Sequence, residues 1–308
     1  MGKDSICTTA GQTLEIAIVG SGIAGLSAGW LLSQRHRVTL FEAENRLGGH
    51  SHTVEASGVA VDTGFVVYND VTYPNLAALF RHLGVRTKPS DMSFAVSLDD
   101  GRLEYSGTGF SGLFAQGRNA MSPRFWRMLW DLIRFYRKAP LDAAQLGATS
   151  LGDYLDAAGY GAAFRNDHLF PMAAAIWSTP AADIGNYPAT AFIRFCETHG
   201  LLKLSGRPTW RTVDGGSRSY VQRLAKAIPE IVSNHPIKGI VRLPGGVEVI
   251  GANGDRRRFD HVVIATHADQ ALGMIADPSV DERRLLGAFS YLGNDAILHS
   301  DANLMPRR

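Results

Sequence analysis

Apolar positions along the chain fall into unbroken runs, alternating runs and helical stripes. Ile16–Val19 and Val38–Phe41 are unbroken and end at Gly20 and Glu42; Val262–Ala265 is a third such run, entered from Asp260. Runs this short and this apolar suit strands buried on both faces. Between the first two, Ile23, Leu26 and Trp30 are spaced to lay one face of a helix on a sheet. Thr53–Ala56 and Val59–Val61 flank Ser57-Gly58, a hairpin signal. Met92, Phe94, Val96 and Leu98 alternate as in a half-buried strand, which Asp99-Asp100-Gly101 turns back into Leu103–Tyr105. Ile237–Leu243 and Val247–Ile250 flank Pro244-Gly245-Gly246, and Asn253-Gly254 turns into a third strand, so these read as a meander.

Helical stretches carry their own punctuation. Pro74 and Gly84 bracket a helix whose buried face is Leu76, Leu79, Phe80 and Leu83. Ser150 and Asp153 mark another start. Pro171 and Pro180 are expected to break the region around Ala173–Trp177. Pro188 opens a helix with Phe192, Phe195, Cys196 and His199 on one face and Gly200 at its end. Thr212–Ser217 leads into a helix carrying Tyr220, Val221, Leu224 and Ile228. Arg256–Arg258 reads as a solvated charge run on a turn.

Pro123–Lys138 stands apart. Arg124, Arg127, Asp131, Arg134 and Lys138 form one narrow polar stripe on an otherwise apolar helix that holds Trp126 and Trp130. Most helices with so broad an apolar face lie in a core with their arginines in water. A basic stripe with Trp and Phe is also the make-up of a helix lying in a membrane interface.

The chemistry is concentrated in the turn Gly20-Ser21-Gly22-Ile23-Ala24-Gly25. Gly20 permits the tight turn out of the strand, Gly22 lets backbone approach a pyrophosphate, and Gly25 lets the helix pack close to the strand. The helix N-terminus offers unpaired N–H groups and a partial positive charge to phosphates. Glu42, 17 residues past Gly25, is placed to accept hydrogen bonds from ribose hydroxyls and would repel a 2′-phosphate. Gly107–Gly112 matches the same glycine pattern but follows a hairpin strand, and it reads as a flexible loop.

After Glu42 the chain runs Ala43-Glu44-Asn45-Arg46-Leu47-Gly48-Gly49-His50. Together with the glycine turn, this resembles the extended signature of the FAD-binding flavoproteins that include the amine oxidases and phytoene desaturases. The resemblance implies FAD rather than NAD, with Ala43, Arg46, Gly48, Gly49 and His50 beside the diphosphate and flavin. It implies that Asp62-Thr63-Gly64-Phe65 brings Gly64 and Phe65 to the flavin, that Val241 holds the adenine through its backbone, and that Ala265 and Thr266, with His267, approach the diphosphate. His50 is the candidate for proton transfer. The implied fold is α/β: a Rossmann-like FAD-binding domain of the glutathione-reductase type, residues 14–88 and 207–275, with an inserted α+β substrate domain, 89–206 and 276–308. The family also carries a last FAD-binding strand–helix, which does not appear before Arg308, so the sequence is expected to be partial.

Composition narrows the choice. Among 308 residues, 45% are apolar and 19% charged, enough for about two domains with sizeable cores. The net charge of 31 − 29 = +2 gives no field that favours nucleic acid. Cys7 and Cys196 are too few for a disulfide framework. His50 and His52 have no cluster to complete a metal site, so no metal is expected. Residues 14–32 are too polar for a span and no signal peptide or myristoylation pattern precedes them, so a cytoplasmic protein is expected, with peripheral contact at the inner face of the membrane through 123–138 as the alternative to a helix packed in the substrate domain.

The expected activity is hydride transfer from a substrate C–H to flavin N5. Amine oxidases of the resembled family place a Lys near N5, whereas Tyr291–His299 contains none. That favours an apolar, lipid- or isoprenoid-like small molecule over an amine. An amine oxidase with an atypical site and a flavin-binding protein without turnover are the alternatives.

Overall fold

A computed structural model describes residues 11–291, 293 and 295–306. The leader residues 1–10, including Gly2, Ile6 and Cys7, lie outside the described residues, as do Leu292 and Asn294. Contacts divide the chain into two units: residues up to Val66 with Leu76–Lys88 and Thr212–Ala296, and Val67–Asn75 with Pro89–Arg211 and Ile297–Arg308.

The first unit is built on a parallel sheet. Glu15–Val19 (β1) leads through the helix Ile23–Leu32 (α1) to Arg37–Phe41 (β2). The sheet order is Glu230–Val232, β2, β1, His261–Ile264, all parallel. The period of two in β1 divides its side chains between layers. Ala17 and Val19 join Phe41, Ile240, Val247, Val249 and Phe259 beneath the meander, while Ile18 faces Gly29 of α1. The meander strands are Ile237–Leu243, Gly246–Gly251 and Arg256–Phe259. Arg256–Arg258 therefore lies on a strand, not a turn. Arg257 is held there because its guanidinium donates to both Glu230 oxygens at 2.9 Å and sits over the Phe41 and Phe259 rings.

The hairpin Thr53–Ala56/Val59–Asp62 is locked to the glycine turn before the helix Arg218–Ala225. The Asp62 carboxylate accepts from the Ser217 N–H, the Ser217 hydroxyl and the Thr53 hydroxyl at 2.6–3.1 Å. The stretch 276–296, expected with the substrate domain, belongs to this first unit because Arg242 of the meander donates to Asp277 and Glu282.

The second unit is mainly helical around Phe135, Leu151, Leu155, Phe164, Phe192 and Ile193. The hairpin Ala95–Leu98/Leu103–Ser106 packs Val96 and Tyr105 against Phe125 and Met128. Val67–Asn75 joins this unit, not the first, because the Thr72 hydroxyl donates to the Thr198 carbonyl and Tyr73 bonds His199.

Three local expectations change. Gly109–Leu113 is a short helix rather than a loop. Pro171 does not break its segment: a π-helical turn, Arg165–Leu169, carries the chain into Phe170–Trp177, and the Asp167 carbonyl that an N–H at 171 would have met accepts the Tyr105 hydroxyl at 2.8 Å instead. The helix from Pro123 runs on through Pro140 to Asp142, with the Ser122 hydroxyl capping its start. Its polar stripe does not all face water. Asp131 is 5% exposed, accepts the Gly161 N–H and pairs with Arg134, while Arg124 is bidentate to the buried Asp167.

Candidate functional site

A parallel sheet puts every strand's carboxyl end on one edge, and that edge is where this chain's chemistry collects. Gly20 follows β1, Glu42 follows β2 and Ala265 follows His261–Ile264. Their backbones are tied: Gly20 N–H to Phe41 O at 2.9 Å, Ala265 N–H to Val19 O at 2.8 Å, and Glu42 N–H to Val232 O at 2.9 Å.

The glycines of the turn are constrained differently. Gly20 has φ +99°, and a Cβ there would lie 2.7 Å from the Ala265 carbonyl oxygen. At Gly25 a Cβ would lie 1.9 Å from the Gly20 oxygen, so this residue sets how closely α1 approaches β1. At Gly22 a Cβ would meet nothing within 4 Å. Gly22 is the residue before α1. A parallel bridge ties it to Gly48, and the helix start beyond it has no side-chain cap.

Ser21 and Glu42 fix the shape of this opening. Ser21 is fully buried. Its N–H donates to Glu42 Oε2 at 2.9 Å and its hydroxyl bonds the same oxygen, while among the described residues Glu42 Oε1 accepts only the Glu44 N–H, at 2.9 Å. Gly48 N–H donates to Ser21 O at 3.0 Å, and Gly49 comes so near that a Cβ would lie 3.2 Å from Gly22 Cα. The Arg46 guanidinium donates to Gly49 O at 2.9 Å, so it braces the loop. Ala43, beside Glu42, is exposed.

Further residues gather at His50. Gly64 is required beneath it, since a Cβ would lie 2.1 Å from the His50 oxygen, which also accepts the Phe65 N–H at 3.0 Å. The His50 ring stacks on His267 at 5.7 Å, and His267 stacks on Tyr291 at 4.3 Å. Sequence reasoning missed Tyr291, which carries no motif, and it missed Ser21 as the post that holds Glu42. Thr266 directly precedes His267, which caps the helix Ala268–Met274. Val241 stands on the meander opposite Glu248, next to Ile240, which packs with Phe41. Among the described residues, no three His, Cys, Asp or Glu side chains group to hold a metal.

The open, uncapped helix start, the residue lacking a side chain in front of it and the acid beside it fit the diphosphate and ribose of an adenine dinucleotide. The family comparison supplies the other half of that cofactor: the model for flavin containing amine oxidoreductases matches residues 23–298. The chain belongs to that family. A Mycobacterium tuberculosis protein assigned as a flavin-containing monoamine oxidase is 26% identical over 86% of this chain and 60% of its own length. A carotenoid phi-ring synthase of Streptomyces griseus is 32% identical over 47% of this chain and 30% of its own. Putrescine oxidase, solved with putrescine bound, superposes with a TM-score of 0.69 at 20% identity, over 90% of this chain and 63% of that one, which shows the fold. The chain thus spans about 60% of the length of the first and third of these relatives, and FAD is the cofactor its family implies.

Proposed function

We propose that the chain is the cofactor-binding part, with part of the substrate domain, of an FAD-dependent oxidoreductase that removes hydride from a substrate C–H. The observation that carries this is the unfilled space in front of Gly22, walled by Ser21, Glu42 and Gly48–Gly49. When bound, FAD supplies the electron-accepting N5. The chain's residues do the rest. The first-turn N–H groups and the dipole of α1 hold the diphosphate. Glu42 Oε1, which accepts one bond, has capacity left for a ribose hydroxyl. Gly48 and Gly49 would let backbone approach the cofactor, Ala265 and Thr266 would line its diphosphate, Gly64 and Phe65 its flavin, and the Val241 backbone its adenine. The His50 imidazole would take the proton that the neighbouring substrate carbon must lose as the hydride leaves.

We assign it an apolar, lipid- or isoprenoid-like substrate. Support comes from Tyr291–His299, which lacks the Lys that amine oxidases of this kind place near N5, and from the aromatic interior of the second unit. Such substrates partition into membranes, so the same reading places the chain at the inner face of a membrane. The test is anaerobic bleaching of the reconstituted yellow protein. Bleaching by polyunsaturated lipid or isoprenoid substrates supports the assignment. Bleaching by amines alone overturns the substrate class, a yellow protein that nothing bleaches makes it a binder without turnover, and failure to take up FAD overturns the whole reading.

A further inference from the structure

The helix Pro123–Asp142 shows solvent a face turned away from the buried line it gives to the core of its own unit. Its buried line is Phe125, Met128, Leu132, Phe135 and Ala139, with Asp131 beside it. Opposite lie Trp126, Trp130, Arg137 and Leu141, at steps of four, seven and four, flanked by Arg127 and Lys138, which are 11 apart. All are exposed, Trp130 by 69%, Leu141 by 76% and Trp126 by 51%, although the Trp126 indole donates to the Ala120 carbonyl at 2.8 Å and packs on Phe114 at 5.6 Å. The charges on this helix have been sorted by burial. Arg124 and Arg134 are neutralised by the buried Asp167 and Asp131. No carboxylate among the described residues forms an ion pair with Arg127, Arg137 or Lys138; of the helix's two acids, Asp131 is buried and Asp142, at the last position, is half-buried and accepts the Tyr154 hydroxyl at 2.9 Å. The exposed face therefore carries apolar anchors and positive charge alone.

We propose that this face docks on an anionic lipid surface, the tryptophans and Leu141 entering the headgroup layer and the three cations meeting lipid phosphates and carboxylates. The identification of lipid rests on complementarity of both kinds. A protein partner's groove takes an apolar helix face without needing an acid-free cationic one, whereas an interfacial helix has Trp or Leu on one side and Lys or Arg beside them. At about 30 Å long, the helix lies flat, and no helix of the described chain is long and apolar enough to cross a membrane. The inference rests on the proposed apolar substrate only for its purpose, which is delivery of a molecule dissolved in the bilayer.

Vesicle flotation of the chain tests it, with and without FAD. The probes are phosphatidylcholine vesicles and vesicles of phosphatidylcholine and phosphatidylserine in equal parts. The chain should float with the second and stay below with the first, and binding should vanish in about 1 M salt, where the Debye length falls to roughly 3 Å. A chain carrying Arg137→Gln and Lys138→Gln should bind roughly twenty- to thirtyfold more weakly, about fivefold for each cation lost from an anionic surface. A Trp130→Ser chain, altered at a side chain that packs on no core, should lose binding while its unfolding midpoint stays in place. Flotation unchanged in both variants, or absent in the parent, overturns the proposal. So does sedimentation of the parent as a dimer that Trp130→Ser dissolves, which would give the face to a second copy. Flotation by a chain that refuses FAD leaves the lipid contact standing and removes the flavin reading; a yellow chain that does not float does the reverse.

Discussion

Gly22→Ala should separate cofactor capture from folding. Gly22 has φ −60° and ψ 175°, extended values open to any residue, and its Cβ would meet nothing within 4 Å. The apo chain should therefore be unharmed, or gain about 0.4–1 kcal/mol because the unfolded chain loses freedom. The cofactor meets the new methyl where its phosphate would approach the α1 N–H groups. Losing about two charge-assisted hydrogen bonds there, at about 1.5–3 kcal/mol each, amounts to about 3–6 kcal/mol, or roughly a hundredfold to ten-thousandfold in Kd. Gly25→Ala, three residues on, should do the opposite first. Its Cβ would lie 1.9 Å from the Gly20 oxygen and 3.3 Å from Ala265 Cβ, so strand and helix must part, at a cost of about 1–3 kcal/mol or more to the apo fold. The assays are urea unfolding of the apo chains and titration of FAD by fluorescence quenching. A Gly22→Ala chain that binds FAD like the parent refutes the placement of the diphosphate. A Gly22→Ala chain destabilised as much as Gly25→Ala refutes the open space.

Glu42→Ala should weaken FAD binding and also lower apo stability by about 1–3 kcal/mol, because it strips the acceptor from the buried Ser21 N–H; urea midpoints unmoved by the change would refute the Ser21–Glu42 brace. His168 is held neutral, its pKa lowered to about 4 by burial and then by the Arg207 charge. Unfolded, it titrates near 6.5, so the stability it contributes is present above that pH and is lost as pH falls from about 6.5 to about 4, at most about 3 kcal/mol. A His168→Phe chain should lose less stability than the parent between those values, and equal losses in urea unfolding would count against it. Burial pushes the Cys196 thiol up to about 12. In a Cys7→Ser chain at pH 8, a disulfide reagent should label Cys196 only as fast as the protein unfolds, and rapid labelling of the native chain would show the thiol exposed.

What the sequence disclosed was mostly local. Gly20 and Gly25 were legible because a turn from strand to close-packed helix admits no other residue there, and Glu42 because a strand of fixed length places it. The meander was legible because Gly245 and Gly254 take φ of +78° and +91° at its two turns. Contacts distant in sequence were not. Arg257 looked like part of a solvated run until Glu230 and two rings gave it a place on a strand. Val67–Asn75 read as part of the first domain because nothing in its spacing reports that Tyr73 meets His199, 126 residues on. The His50–His267–Tyr291 stack joins three segments that share no motif. At the candidate site, sequence supplied the residues that the backbone demands and missed those that only the folded edge brings together.

The helix Pro123–Asp142 shows why pattern alone misjudges charge. Its period located the buried line, since 125, 128, 132, 135 and 139 fall on one side of a 3.6-residue turn. The same period drew Arg124, Arg127, Asp131, Arg134 and Lys138 into one stripe, and a stripe is read as solvated. Angularly, though, Asp131 borders the buried line. Once covered, an acid must be matched, and Arg134 and the Gly161 N–H match it. Arg124 is claimed by Asp167, 43 residues later, which no helical spacing reports. Two cations are thus withdrawn along with Asp131, the other acid, Asp142, is engaged by the Tyr154 hydroxyl at the helix's last position, and Arg127, Arg137 and Lys138 are left outside. Periodicity fixes which way a helix turns; the sign of its outer face is decided by which of its charges the fold pairs.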